Sequence, residues 1–160
     1  MFRLRFKSSR SVSSLQDSKL FNERTFYPAF MTDLRCCKEQ AIIECPFITS
    51  RRVNALLPTL QMLRQRGVAI IINTRDPQEH DLPLRTQAIE AIERLQHLGV
   101  NVLYTGGHHR KLAILDKKIL WEGSLNILSQ SASCEIMRRI ESEVIARQMI
   151  LFTNLHNFIQ

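Results

Sequence analysis

The sequence predicts an α/β domain: a mixed, mainly parallel β-sheet flanked by helices on both faces. Three observations carry this. Apolar runs of strand length occur at Ala41 to Ile48 and Val68 to Asn73, apolar on both sides as buried parallel strands are, and a third strand follows at Val100 to Tyr104. Two longer segments with apolar residues at helical spacing separate them, which are the crossovers that parallel pairing requires. Two further runs, Leu112 to Leu115 and Ile119 to Trp121, are separated only by Asp116-Lys117-Lys118, the length of a hairpin turn.

In chain order, residues 1–24 hold six basic residues against Asp17 and Glu23, several serines and little periodicity. They read as a basic, flexible arm ahead of a folded domain over residues 25–160. Pro28 marks the start of a helix with Phe30, Leu34 and Cys37 on one face. The first strand follows, with Pro46 near its end. Thr49 or Ser50 caps a helix from Arg51 to Arg66, in which Val53, Leu56, Leu57, Leu60 and Leu63 share a face and Gly67 is the stop. After the second strand, Thr74 to Pro83 is a polar loop. The helix from Leu84 to Leu98 then aligns Ile89, Ile92, Leu95 and Leu98, and Gly99 ends it. Gly106-Gly107 turns the chain from the third strand into the hairpin. A strand over Glu135 to Ile140 and a closing helix from Glu141 to Phe158 complete the chain. That helix would bury Val144, Ile145, Met149, Phe152, Leu155 and Ile159.

A chain of 160 residues, 44% of them apolar, is one domain with a core that needs no disulfide staples. Cys36, Cys37, Cys45 and Cys134 show no zinc spacing and read as thiols of a reducing compartment. No apolar run approaches the length of about eighteen residues that spans a bilayer, so no stable membrane insertion is expected. A cytoplasmic location is expected; the Arg- and Ser-rich start, poor in acid, makes mitochondrial targeting the alternative. The net charge of +7, of which residues 1–24 carry +4, favours a polyanionic partner, nucleic acid first.

The chemistry concentrates in His109, Lys111, Asp116, Gly123, Ser124 and Asn126, which spell H-x-K-x4-D-x6-G-S-x-N. Residues two apart on an extended strand face the same way, so His109 and Lys111 go together, as do Ser124 and Asn126. Asp116 falls on the opposite face. Gly123 lets the backbone come close to another group. An imidazole, an ammonium, a hydroxyl and an amide form one nucleophile or base with several donors, an inventory that suits a phosphate. Arg75, in the loop after the second strand, is a candidate for a further substrate phosphate. His108 should point away from His109. His80 reads as a loop histidine, His97 and His156 as helix residues, and Trp121 as core. The His, Cys, Asp and Glu residues show no ligand spacing, so neither a catalytic metal nor any other cofactor is expected.

This spacing resembles the HKD signature of the phospholipase D superfamily without departure, and the likeness extends more weakly from about Phe26 to the C-terminus, nearest to small single-motif nucleases and to domains found beside helicases. The resemblance implies the phospholipase D-like fold and phosphodiester hydrolysis through a phosphohistidine on His109. Lys111, Ser124 and Asn126 would bind the phosphate, Glu135 would orient His109, and Asp116 would serve structure by anchoring the turn or adjacent backbone. One motif in place of two implies a homodimer whose two His109 side chains share one site. The expected activity is that of a metal-independent endonuclease on DNA or RNA. The alternatives are a phospholipid phosphodiesterase or transferase, and a nucleic-acid-binding module that partners a helicase-type ATPase.

Overall fold

The computed structural model describes residues 18–129 and 132–159. Its elements are β1 (Lys19–Asn22), α1 (Phe26–Cys36), β2 (Gln40–Glu44), α2 (Ser50–Gln65), β3 (Ala69–Thr74), α3 (Leu82–His97), β4 (Asn101–Tyr104), β5 (Leu112–Leu115), β6 (Ile119–Gly123), β7 (Ile136–Glu141) and α4 (Glu143–Phe152). They form one seven-stranded sheet in the order β1-β7-β6-β5-β2-β3-β4.

The sheet is mixed. β2, β3 and β4 pair in parallel, joined by α2 and α3. The hairpin, β7 and β1 add the antiparallel half. Alternation along β2 sends Ala41 and Ile43 into a core with α1, α2 and α3, while Ile42 joins Ile71, Ile114 and Leu120 beneath α4. Helices therefore cover both faces. Trp121 is fully buried among Phe21, Phe26 and Phe30, and its Nε1 donates to Asp33 Oδ2 at 2.9 Å. The helix caps follow the sequence: Thr49, Asp81 and Ser142 each accept a backbone amide of the first turn.

Two elements differ from expectation. The span read as a basic arm contains β1, whose Lys19 to Asn22 pair with β7. β1 is an exposed edge strand with only Phe21 packed inward, so it carries no apolar pattern to read. Residues 1–17, where the rest of that arm falls, lie outside the described residues. The closing helix ends at Phe152. Thr153 turns its hydroxyl back onto Met149 O at 2.7 Å, and Asn154 takes a left-handed φ of 59° before the short 3-10 turn Leu155–Phe158. Its buried residues are Ala146 and Ile150, while Val144 and Phe152 are 67% and 82% exposed.

The topology decides where the site lies. The C-terminal end of β2 meets the start of β5, with Glu44 opposite Leu112. The end of β6 and the start of β7 reach the same edge, with Gly123 opposite Met137. One sheet edge thus carries residues 108–111, 123–126 and 135, where open α/β sheets place ligands.

Candidate active site

His109 and Lys111 precede β5 in an irregular stretch rather than riding on the strand. Their side chains nevertheless meet: Lys111 Nζ lies 2.9 Å from His109 Nδ1 and donates to His109 O at 2.8 Å. Phe47, just past β2, sets its ring against the imidazole, centroids 6.1 Å apart and nearly perpendicular. Arg75 places its guanidinium carbon 5.5 Å from the Phe47 ring centre, donates from Nε to His108 O at 3.2 Å and pairs with Glu79 at 3.7 Å. Burial lowers the Lys111 pKa, and Arg75 adds to the shift, while Glu135 opposes it. The buried Cys45 thiol is itself pushed up to about 11 by burial, so it stays neutral.

Gly123 carries the second half of the motif. Its N–H donates to Lys111 O at 3.3 Å, and Ser124 N–H donates to Ile136 O at 2.9 Å. A Cβ at Gly123 would fall 2.9 Å from Met137 Cα and closer still to Ile136 O. Only glycine lets β6 pass this near β7 while turning Ser124 toward the edge. Asn126 presents a side chain whose buried Oδ1 has no hydrogen-bond partner among the described residues.

Glu135 differs from expectation. Its carboxylate accepts from the hydroxyls of Ser124 and Ser133, and its N–H donates to Glu23 Oε2 at 3.2 Å; it makes no hydrogen bond to His109, whose ring is engaged by Lys111. His108 is buried, 3% exposed, and burial lowers its pKa, Glu44 opposing and Arg110 reinforcing. His80 is buried too, stacked obliquely on Phe47 with centroids 5.3 Å apart.

Asp116 lies at the far edge, in a two-residue turn where it and Lys117 take φ of 51° and 53°. Its Oδ1 accepts from Glu39 N–H at 2.8 Å, Gln40 N–H at 3.0 Å and the Cys37 thiol at 3.0 Å, and its Oδ2 from Lys38 N–H at 2.9 Å. Burial raises its pKa, but these donors outweigh burial and hold it below the ordinary value of 3.8. Asp116→Asn should cost about 1–3 kcal/mol of stability, read from denaturant melts. A folded pKa below the unfolded one gives stability that is present above pH 3.8 and lost as pH falls below it. The variant should therefore differ most from wild type near neutrality and converge on it in acid.

Beside Lys111 and Ser124 a groove of about 720 Å³ opens on the α4 face, lined also by Leu20, Arg110, Ile136 and Phe152. Leu20 and Ile136 are 65% and 62% exposed. No cluster of three or more His, Cys, Asp or Glu side chains placed to hold a metal occurs among the described residues. Nor is any described helix long and apolar enough to cross a membrane.

The family model described as "Cardiolipin synthase, PLD-like domain" matches residues 30–154. The chain belongs to the phospholipase D-like family. Enzymes of this superfamily act on phosphodiesters. No match was found among the curated proteins. Among solved structures the fold is similar to that of Nuc from Salmonella typhimurium, a phospholipase D family member, at 14% identity and TM-score 0.69, over 85% of this chain and 90% of that one. It is similar to NucT from Helicobacter pylori at 17% identity and TM-score 0.66, over 85% and 92%. It is also similar to a phosphatidylserine synthase of Haemophilus influenzae at 13% identity and TM-score 0.65, over 84% of this chain and 36% of that one.

Phe47 was not singled out from sequence. Its signal was position: it directly follows Pro46 at the C-terminal end of a parallel strand, where ligands sit. The pairing of Arg110 with Glu44 had no local signal at all, because it spans 66 residues of chain.

Proposed function

We propose that this protein is a metal-independent phosphodiesterase, an endonuclease of DNA or RNA, with His109 as nucleophile. The observation that carries this is the contact of His109 with Lys111, whose carbonyl accepts from Gly123 N–H and which lines one groove with Ser124. His109 attacks phosphorus, the bond to the leaving oxygen breaks, and a general acid protonates that oxygen. Water then cleaves the phosphorus–nitrogen bond and restores the imidazole. In the resting arrangement Nδ1 faces the Lys111 ammonium, so a neutral ring carries its hydrogen on Nε2. A phosphate would draw Lys111 onto its own oxygens and free the Nδ1 lone pair for attack on phosphorus, with the hydrogen staying on Nε2. Lys111 and the Asn126 amide then offset transition-state charge without a metal.

The second acid is the His109 of another copy in a homodimer. Support comes from the groove beside Lys111, whose exposed rim of Leu20, Ile136 and Phe152 offers apolar surface for an isologous interface. Arg75 is read as a residue that holds the His108 backbone and the Phe47 wall, with substrate phosphate as a further partner. The same apolar rim favours a second reading, a phospholipid phosphodiesterase or transferase that works at an interface. A helicase-type partner ATPase belongs to the reading in which this domain chiefly holds nucleic acid.

The test is incubation with plasmid and single-stranded DNA in excess EDTA, beside anionic phospholipid vesicles. Cleavage of nucleic acid in chelator is the expected result. Activity that vanishes in EDTA and returns with magnesium contradicts the mechanism, and turnover of vesicles alone favours the lipid reading.

A further inference from the structure

The middle residue of the motif, Arg110, turns away from its neighbours. Its Nε donates to Glu44 Oε2 at 2.7 Å and its Nη2 to Glu44 Oε1 at 2.8 Å, a two-pronged pair. Glu44 ends β2 and is fully buried. Asn73 Nδ2 donates to the same Oε1 at 2.7 Å, and Thr105 Oγ1 donates to Asn73 Oδ1 at 3.0 Å. A polar chain thus runs from the end of β4 through β3 and β2 into the motif.

That chain ends where the backbone most needs holding. Residues 108–111 lie outside the strands, and β5 begins only at Leu112. The stretch is held from outside by His108 N–H on Thr105 O and Arg75 on the His108 carbonyl, by Gly123 N–H on the Lys111 carbonyl, and by the Arg110 fork on Glu44. The contacts at His108 and Lys111 fix its ends. Among the described residues, only the fork fixes the residue between His109 and Lys111. A carboxylate at this depth, above Ile42 in an apolar column, is poor value for stability, since a well-packed apolar pair would do as well or better. What the pair supplies is direction: a planar guanidinium on a fixed carboxylate has one geometry, which a lysine would not reproduce.

We propose that Glu44 and Arg110 are the positioning residues of the site, a strut rooted on the buried Glu44 carboxylate that sets where His109 and Lys111 point. The proposal rests on the reading of those two side chains as the phosphodiesterase centre. Neither Glu44 nor Arg110 need touch the reacting phosphate. Loss of the strut should therefore lower kcat and leave KM nearly unchanged.

The experiment uses the full chain with Arg110→Met, Arg110→Lys, Glu44→Gln and the neutral double variant Glu44→Gln/Arg110→Met. Turnover of bis-p-nitrophenyl phosphate and thermal melting are measured side by side, with NMR titration of the His109 ring as a readout free of activity. Arg110→Met and Glu44→Gln should lose about 10- to 100-fold in kcat, with KM within about twofold of wild type. Arg110→Lys should fall between them and wild type. The double variant should melt higher than Arg110→Met, which leaves the buried carboxylate with Asn73 but without its cation, yet recover no turnover. The His109 ring signals should shift in Arg110→Met although residue 110 does not touch that ring. Recovery of kcat together with melting temperature in the double variant would make the pair merely structural and overturn the proposal. So would folded single variants with kcat within about twofold of wild type and unmoved His109 signals. If wild type turns over no phosphodiester, the proposed function fails, and the ring signals alone still decide the strut.

Discussion

His109→Ala should abolish turnover, by at least about 10³-fold in kcat, while nucleic-acid binding changes little. That factor corresponds to about 4 kcal/mol of transition-state stabilisation. The loss is large because removal of the nucleophile removes the covalent route, and no remaining side chain of the site substitutes for it. Ser124 is occupied by Glu135, and Lys111 is an ammonium. Binding should survive because Lys111 and Arg75 remain, and deletion of one ring takes little from a basic surface. The measurement is single-turnover cleavage beside a filter-binding titration. Mixing the variant with wild type adds a test of sharing. If both histidines of a dimer are needed, an equal mixture keeps about a quarter of the wild-type activity, and a linear loss argues for an acid within one chain.

Gly123→Ala should be the most damaging of the small substitutions, lowering stability by about 3 kcal/mol or more and the melting temperature by about 10 °C. The added methyl meets backbone, Ile136 O and Met137 Cα, rather than the tip of a flexible side chain, so nothing yields cheaply. β6 must pull away from β7, and Ser124 and Asn126 go with it. Any protein that folds should also lose turnover, since Gly123 N–H ties this turn to Lys111 O. Thermal melts and kcat on the same preparation check both parts. A variant that melts within about 2 °C of wild type would show that the strands part without cost.

The parts of the fold legible in the sequence are those whose signals are local. The βαβαβ half was readable because β2 and β3 hold buried, continuous apolar runs and the helices carry caps and stop glycines, Thr49 and Gly67 among them. The hairpin was readable from its spacing. β1 was not, because an edge strand with one inward residue has no period. The end of α4 was not, because Thr153 and Asn154 stop it by local hydrogen bonding and a left-handed turn that apolar spacing does not report. In the site, fixed offsets gave the motif residues, and a two-apart rule paired His109 with Lys111 although the stretch is not a strand. Glu135 was read as the partner of His109, yet its hydrogen bonds go to Ser124 and Ser133. Which acceptor a carboxylate finds depends on turn geometry, and spacing does not contain it. The Glu44–Arg110 pair and the Phe47 wall depend on strand order, which only the folded sheet supplies.

The most direct measurement is a covalent trap. Protein in excess over an oligonucleotide carrying labelled phosphorus at the cleaved linkage, in EDTA, is quenched into alkaline detergent within the first turnover, where a phosphohistidine survives. Labelled phosphorus should appear on the protein, map to the peptide that holds His109, and be absent from His109→Ala. A full burst of cleaved product with no phosphorus on the protein, or with the label on Ser124, would contradict a nucleophilic His109.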